Sequence, residues 1–257
     1  EEQKYSYTLD KYFIHEILQL QFDYDGPTEI GGLVLHPDYR GHELKLGKLL
    51  SYVRFLFIGM FPELFREEIV AEMLPPLKAD GTSDLWECLG RNFTELDYRE
   101  ADRMSRENVE FVRSLFPTTP IYSALLPMHA RQKIGVVGES TRPAEKMLKQ
   151  IGFEWNRTID PFDGGPTMAV RTRECPPVMR TEWRLLGGLM SRDEEAEGTA
   201  LLGLETPTDD LRFRAVFGEY RDTEKGVFIR SDTLETLELP EKAGFMPLSG
   251  PDMRSLY

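Results

Sequence analysis

Between Leu33 and Leu50 the chain passes from an apolar stretch through a basic, glycine-marked loop into a helical pattern, an order that few folds accept. Ile30 to Leu35 is a short apolar run closed by Pro37, which predicts a buried strand rather than a helix. Gly41 and Gly47 bracket the loop. Leu46, Leu49, Leu50, Val53 and Phe57 then recur at helical spacing, with Lys48, Ser51 and Arg54 between them. Next come the strand-like Ile69 to Leu74, the break at Pro75-Pro76, and a short helix from Ser83 that Gly90 stops. This succession predicts an α/β layer and argues against a helical bundle.

The flanking segments carry weaker signals. Residues 4–24 alternate enough to predict one or two strands, and Asp25-Gly26-Pro27 is turn chemistry. Met104, Val109, Val112 and Leu115 lie on one stripe of a helix expected over 101–116. A further helix from Ala144 to Ile151 is opened by Pro143 and stopped by Gly152, and Phe153 to Ile159 reads as a strand before the turn Asp163-Gly164-Gly165-Pro166. After Cys175-Pro176-Pro177 the texture changes. Leu211, Phe213, Ala215 and Phe217 alternate, Val227 to Ile229 is a short apolar run, and the acidic loop Asp193 to Glu197 separates them from earlier strands. These features predict a boundary near residue 178, giving blocks at 1–100, 101–177 and 178–257, the last a small β unit.

Charge narrows the function. The 257 residues hold 31 Lys and Arg against 44 Asp and Glu, a formal net charge of −13, and such a chain repels nucleic acid. A hydrophobic content of 40% and a charged content of 29% exclude wholesale disorder. The most apolar stretch, Phe55 to Phe61, falls far short of the roughly 20 residues that span a bilayer, so no membrane segment is expected. Cys88 and Cys175 are too few for a disulfide framework and lack zinc-site spacing, which favours a reducing, cytoplasmic setting and no metal. The first residue, Glu1, is not Met, and no signal-peptide layout follows it; the expectation is a trimmed or incompletely represented chain.

A strand that runs into a glycine-containing loop and then a helix presents free backbone N–H groups and a positive dipole end, a geometry that holds a pyrophosphate. Arg40, Lys45 and Lys48 add charge there. No Gly-Lys-Ser/Thr follows the strand, which argues against a Walker loop, and the spacing does not fit a dinucleotide fingerprint. The plain alternative is an amphipathic helix after a tight loop.

These residues resemble the acyl-CoA-binding core of the GNAT acyltransferases, with a mixed twisted sheet flanked by helices. Glu29 to Arg40, Arg54 to Phe57, Val70 to Met73, Leu85-Trp86 with Leu89-Gly90, Pro120 to Tyr122, Pro143-Ala144, Gly152-Phe153 and Ile159 to Thr167 read in order like the arginine N-succinyltransferase family. The run Phe162 to Thr167 is the most specific piece. The resemblance implies transfer of a succinyl group from succinyl-CoA to the α-amine of arginine. It further implies that Leu33 and Leu35 contact the cosubstrate, that Arg40, Gly41, Leu46, Gly47 and Lys48 hold its phosphates, and that the chain works as a homo- or hetero-oligomer. A guanidinium favours a carboxylate fork, and Glu72, Asp160 and Asp163 are the candidates. Each has a second reading: Glu72 as a strand-end surface group, Asp163 as the shaper of its own Asp-Gly turn.

The chain also departs from the family. The family places a proton-donating His in an Ile-Gly-x-Val-His segment, where this chain has Ile134-Gly135-Val136-Val137-Gly138-Glu139. Glu139 is then the candidate proton-transfer group, provided that burial raises its pKa. The loop after Arg40 is longer than the family's, and the family's opening strands and helices have no counterpart. Three functions stay open: the succinyltransferase, a related acyltransferase with another acyl donor or amine, and a non-catalytic CoA-binding or interaction subunit.

Overall fold

The computed structural model describes residues 1–205, 212–230 and 239–248. Strands β1 (Glu2–Ser6) and β2 (Lys11–His15) form an antiparallel hairpin, followed by the short strands β3 (Ile17–Leu18) and β4 (Thr28–Glu29). Helix α1 (Leu46–Met60) and strand β5 (Glu68–Glu72) come next. Four short helices, α2 (Asp84–Cys88), α3 (Gly90–Thr94), α4 (Tyr98–Ser105) and α5 (Glu110–Leu115), lead to β6 (Ile121–Tyr122), α6 (Met128–Arg131) and α7 (Arg142–Gln150). Then come β7 (Glu154–Ile159), β8 (Pro166–Arg171) and α8 (Pro176–Met179). The last strands are β9 (Glu182–Leu189), β10 (Gly198–Glu205), β11 (Phe213–Thr223), β12 (Gly226–Arg230) and β13 (Lys242–Leu248).

A mixed succession of helices and sheets bears out the α/β class. One four-stranded sheet has the order β4-β5-β8-β7, and the strands after α8 close a barrel in the order β10-β11-β12-β9-β13. The chain divides into two compact units that are discontinuous in sequence: Glu1–Pro27 with Val70–Ala169, and Thr28–Ile69 with Val170–Tyr257. The division falls inside β5 and β8 and so cuts across the three sequence blocks.

In the unit that holds the barrel, α1 buries Leu49, Tyr52, Phe55, Leu56, Ile58 and Met60. Pro62 follows its end and prevents continuation. The helix lies against β10 and β13, where Gly203 and Gly244 leave room for Met60: a Cβ on either would meet its Sδ at 2.3 or 2.2 Å. The barrel interior is filled by Ala200, Leu202, Leu204, Val216, Val227, Ile229, Ala243 and Phe245. Because side chains alternate along a strand, Leu201 and Met246, both also buried, point to the opposite face. Parallel pairing of β12 with β9 closes the ring. The predicted β unit is present, but Leu211 lies outside the described residues.

The other unit is organised around Trp86, Tyr98, Ala101, Val112 and Phe116. Phe162 stacks on Trp86 at 5.0 Å, and Trp86 Nε1 donates to the Leu96 carbonyl at 3.0 Å. Three sequence expectations are corrected. Ile30 to Leu35 forms no strand; only Ile30 is buried, and Gly32 at φ 64° turns the backbone out of an extended path. The helix expected over 101–116 is two helices, because Asn108 Oδ1 accepts from the Glu110 amide and starts α5 afresh. Gly90 does not stop helical structure but opens α3, its missing Cβ making room for the Trp86 ring. Among the described residues no helix is long and apolar enough to cross a membrane.

Candidate active site

In the barrel-containing unit the loop before α1 is built from local hydrogen bonds. Pro37 to Tyr39 makes one 3₁₀ turn, the Arg40 amide donates to the Pro37 carbonyl at 3.1 Å, and Arg40 Nε donates to the Leu35 carbonyl at 3.2 Å. Gly41 takes φ 74°, and His42 Nδ1 accepts from the Leu44 amide at 3.1 Å. Lys45 is left-handed at φ 47° and precedes α1 without a side-chain cap; no acidic residue lies in the first turn. The first amides of a helix have no partner inside it, so Leu46 and Gly47 start an uncompensated positive end. Lys48 is half-buried with its ammonium 5.6 Å from the Tyr52 ring centre, Leu35 reaches the first turn beside Gly47, and Leu33 is 41% exposed. All seven residues expected to serve a CoA cosubstrate, Leu33, Leu35, Arg40, Gly41, Leu46, Gly47 and Lys48, thus belong to one continuous loop and helix start. A polyanion suits that electrostatics.

In the other unit, Asp160 and Asp163 share the turn between β7 and β8. Asp160 Oδ1 accepts from the amides of Phe162 at 2.7 Å and Asp163 at 3.0 Å, and Asp163 Oδ1 accepts from the Gly165 amide at 2.7 Å. Asp163 thus shapes its own turn, as the plainer of its two readings expects. Burial, reinforced by the negative charge of Asp160 and further by Glu72 and Asp102, pushes the Asp163 carboxyl up to about 7. Burial also raises Asp160, against the two amide hydrogen bonds that lower it. Glu72, exposed at the end of β5, belongs to the same electrostatic group. Gly165 has to be glycine: a Cβ there would fall 2.1 Å from the Met73 carbonyl oxygen, and the Met73 amide donates to the Pro166 carbonyl at 3.0 Å.

Gly138 is buried, and its amide donates to the Leu74 carbonyl at 2.8 Å. A Cβ at this position would stand 2.8 Å from the Pro75 carbonyl oxygen and 2.9 Å from that of Leu74. Glu139 next to it is exposed, so the burial its proposed role requires is absent. The sequence reading missed a second cluster in this unit. Asp84, 6% exposed, accepts from Lys133 Nζ and lies 3.2 Å from Lys78 Nζ; His129 Nε2 stands 3.9 Å from it and 3.7 Å from Cys88 Sγ. Its only sequence signal is Ser83-Asp84 at a helix start, which reads as ordinary capping. Among the described residues no group of His, Cys, Asp or Glu side chains is arranged to hold a metal ion.

The family model described as AstA, arginine N-succinyltransferase beta subunit, matches residues 1–176. The chain belongs to this family. It is 40% identical over 166 residues to the arginine N-succinyltransferase subunit beta of Pseudomonas aeruginosa, an alignment covering 64% of this chain and 48% of that one. With the arginine N-succinyltransferase of Yersinia enterocolitica it shares 37% over 180 residues, covering 70% and 52%. The chain thus spans about half the length of the curated relatives it matches. Among solved structures, arginine/ornithine succinyltransferase subunit AI from Pseudomonas aeruginosa superimposes with a TM-score of 0.74 at 24% identity, over 97% of this chain and 71% of that one, which establishes the shared fold. For this member of the arginine N-succinyltransferase family, the match ends at residue 176, just before the barrel strands begin at Glu182.

Proposed function

We propose that this chain carries out acyl-CoA-dependent N-acyl transfer, moving a succinyl group from succinyl-CoA to the α-amine of L-arginine, as part of arginine catabolism in the cytoplasm. The observation that carries the reading is the family match over residues 1–176. The uncapped start of α1, with Arg40, Lys45 and Lys48 near it, suits the phosphates of the cosubstrate. Asp160, Asp163 and Glu72 supply negative charge for a cationic amino acid, and an Asp163 carboxyl that titrates near 7 is matched to taking the proton of an α-ammonium. The neutral amine then attacks the thioester carbonyl, the C–S bond breaks, the nitrogen gives up its second proton as the amide forms, and the departing CoA thiolate takes up that proton. The beta-subunit description of the family supports assembly with further subunits, like or unlike.

One observation favours a second reading. The place of the family's His is occupied by a glycine that has no room for a side chain, and Glu139 is exposed, which suits a CoA-binding subunit without its own proton donor. A thiol-release assay with succinyl-CoA against a panel including L-arginine and L-ornithine separates the two. Transfer to a basic amino acid supports the enzyme. A rise in melting temperature with succinyl-CoA but no thiol release from any amine leaves the binding subunit standing.

A further inference from the structure

The Asp84 cluster is one residue away from the two segments that pack on the carboxylate turn. Leu85, the residue after Asp84, has its Cδ2 3.2 Å from where a Gly164 Cβ would be, and the Ile134 Cα, next to Lys133, is 3.7 Å from the same point. The Gly135 amide donates to the Gly164 carbonyl at 2.8 Å, and Gly164 lies between Asp163 and Gly165, whose amide holds Asp163 Oδ1. Lys133 Nζ donates to the buried Asp84 and so ties the segment that carries Ile134 and Gly135 to the start of α2, which carries Leu85. An ion pair with one buried end is a weak source of net stability but a constraint on geometry, because the buried Asp84 carboxylate holds the Lys133 ammonium, with Lys78 as its second partner.

We propose that Asp84 and Lys133 form a positioning pair that fixes the Asp160–Gly165 turn, and through it the orientation and water exclusion of Asp163, for the amine substrate. The inference rests on the reading of Asp160 and Asp163 as substrate carboxylates. The largest charge effects on Asp163 come from Asp160 in its own turn, Glu72 at the end of β5 and Asp102 of α4, and Tyr98 of α4 feels the Asp163 charge in turn. The pair acts through the packing of Leu85 and Ile134 on Gly164 and the Gly135–Gly164 backbone hydrogen bond.

The test follows the Asp163 carboxyl by carbon-detected NMR titration in the full chain and in the Asp84→Asn, Lys133→Gln and Lys133→Arg variants. Loosening the turn admits water, so the Asp163 midpoint falls by roughly half a pH unit or more in both Asp84→Asn and Lys133→Gln, and Lys133→Arg keeps it. Direct electrostatics predicts the opposite pattern, a fall on removing the Asp84 charge and a rise on removing that of Lys133. Opposite shifts, or none in folded variants, overturn the positioning role. Lys133→Gln leaves Lys78 on Asp84, so the comparison survives if Asp84→Asn does not fold. In the thiol-release assay both variants raise KM for arginine by roughly tenfold while KM for succinyl-CoA stays fixed. If the wild-type chain releases no thiol with any amine, the substrate reading falls, and the titration alone still decides the positioning role.

Discussion

Gly138 shows how much one missing side chain constrains. Carbonyl oxygens at 2.8 and 2.9 Å from its would-be Cβ belong to the backbone, which cannot rotate away as a side chain would. Gly138→Ala is expected to cost about 1–3 kcal/mol in urea unfolding, and Gly138→His more, with no gain in turnover. A folded, more active Gly138→His chain would show that the proton donor was simply lost. Asp163 makes the second prediction at this scale. Its folded carboxyl titrates near 7, above its unfolded value, so between those two pH values the folded state binds the extra proton. Its contribution to stability is therefore fully present below the unfolded value and is lost as pH rises through about 7. Asp163→Asn should flatten the stability profile between about pH 4 and pH 7; superimposable wild-type and variant profiles would count against the raised titration. Asp160 and Asp163 were legible in the sequence as turn carboxylates, but their burial was not, because it comes from segments distant in the chain.

At the scale of elements, α1 joins the cosubstrate loop to a core. The helix itself was readable from spacing, but its buried face was not: of Leu46, Leu49, Leu50, Val53 and Phe57 only Leu49 is buried, Leu50 is 38% exposed, and the core face is carried by Tyr52, Phe55, Leu56, Ile58 and Met60 instead. Leu56 is fully buried, so Leu56→Ala should cost about 2–5 kcal/mol in denaturant unfolding. At the other end, Lys48→Glu replaces an attractive charge with a repulsive one and should weaken succinyl-CoA binding by roughly tenfold in calorimetry, with the melting temperature of the free chain little changed. Equal affinity in the two proteins would remove the first turn of α1 from the phosphate site. The expected strand at Ile30–Leu35 illustrates the limit of such reading. Six apolar or small residues in a row look buried, yet a strand also needs a partner edge and extended dihedrals, and Gly32 supplies neither.

For the whole molecule, the formal charge of −13 predicts that self-repulsion opposes folding, so added salt up to about 0.3 M should raise the melting temperature by a few degrees. A fall would mean that attractive surface pairs such as Arg221 with Glu194 and Arg230 with Glu219 outweigh the net charge. Local patterns determined the α/β class, the loop that opens α1, the turn at Asp160–Gly165 and the onset of a β unit after residue 178. Each of these depends on residues within a few positions of one another, through period, capping and turn chemistry. The tertiary structure alone decided that residues 28–69 join the barrel strands in one compact unit, that parallel pairing of β12 with β9 closes the barrel, and that Asp84, Lys133 and the carboxylate turn are linked. These rest on contacts between residues far apart in the chain, where burial and backbone approach are set by packing and leave no periodic trace in the sequence.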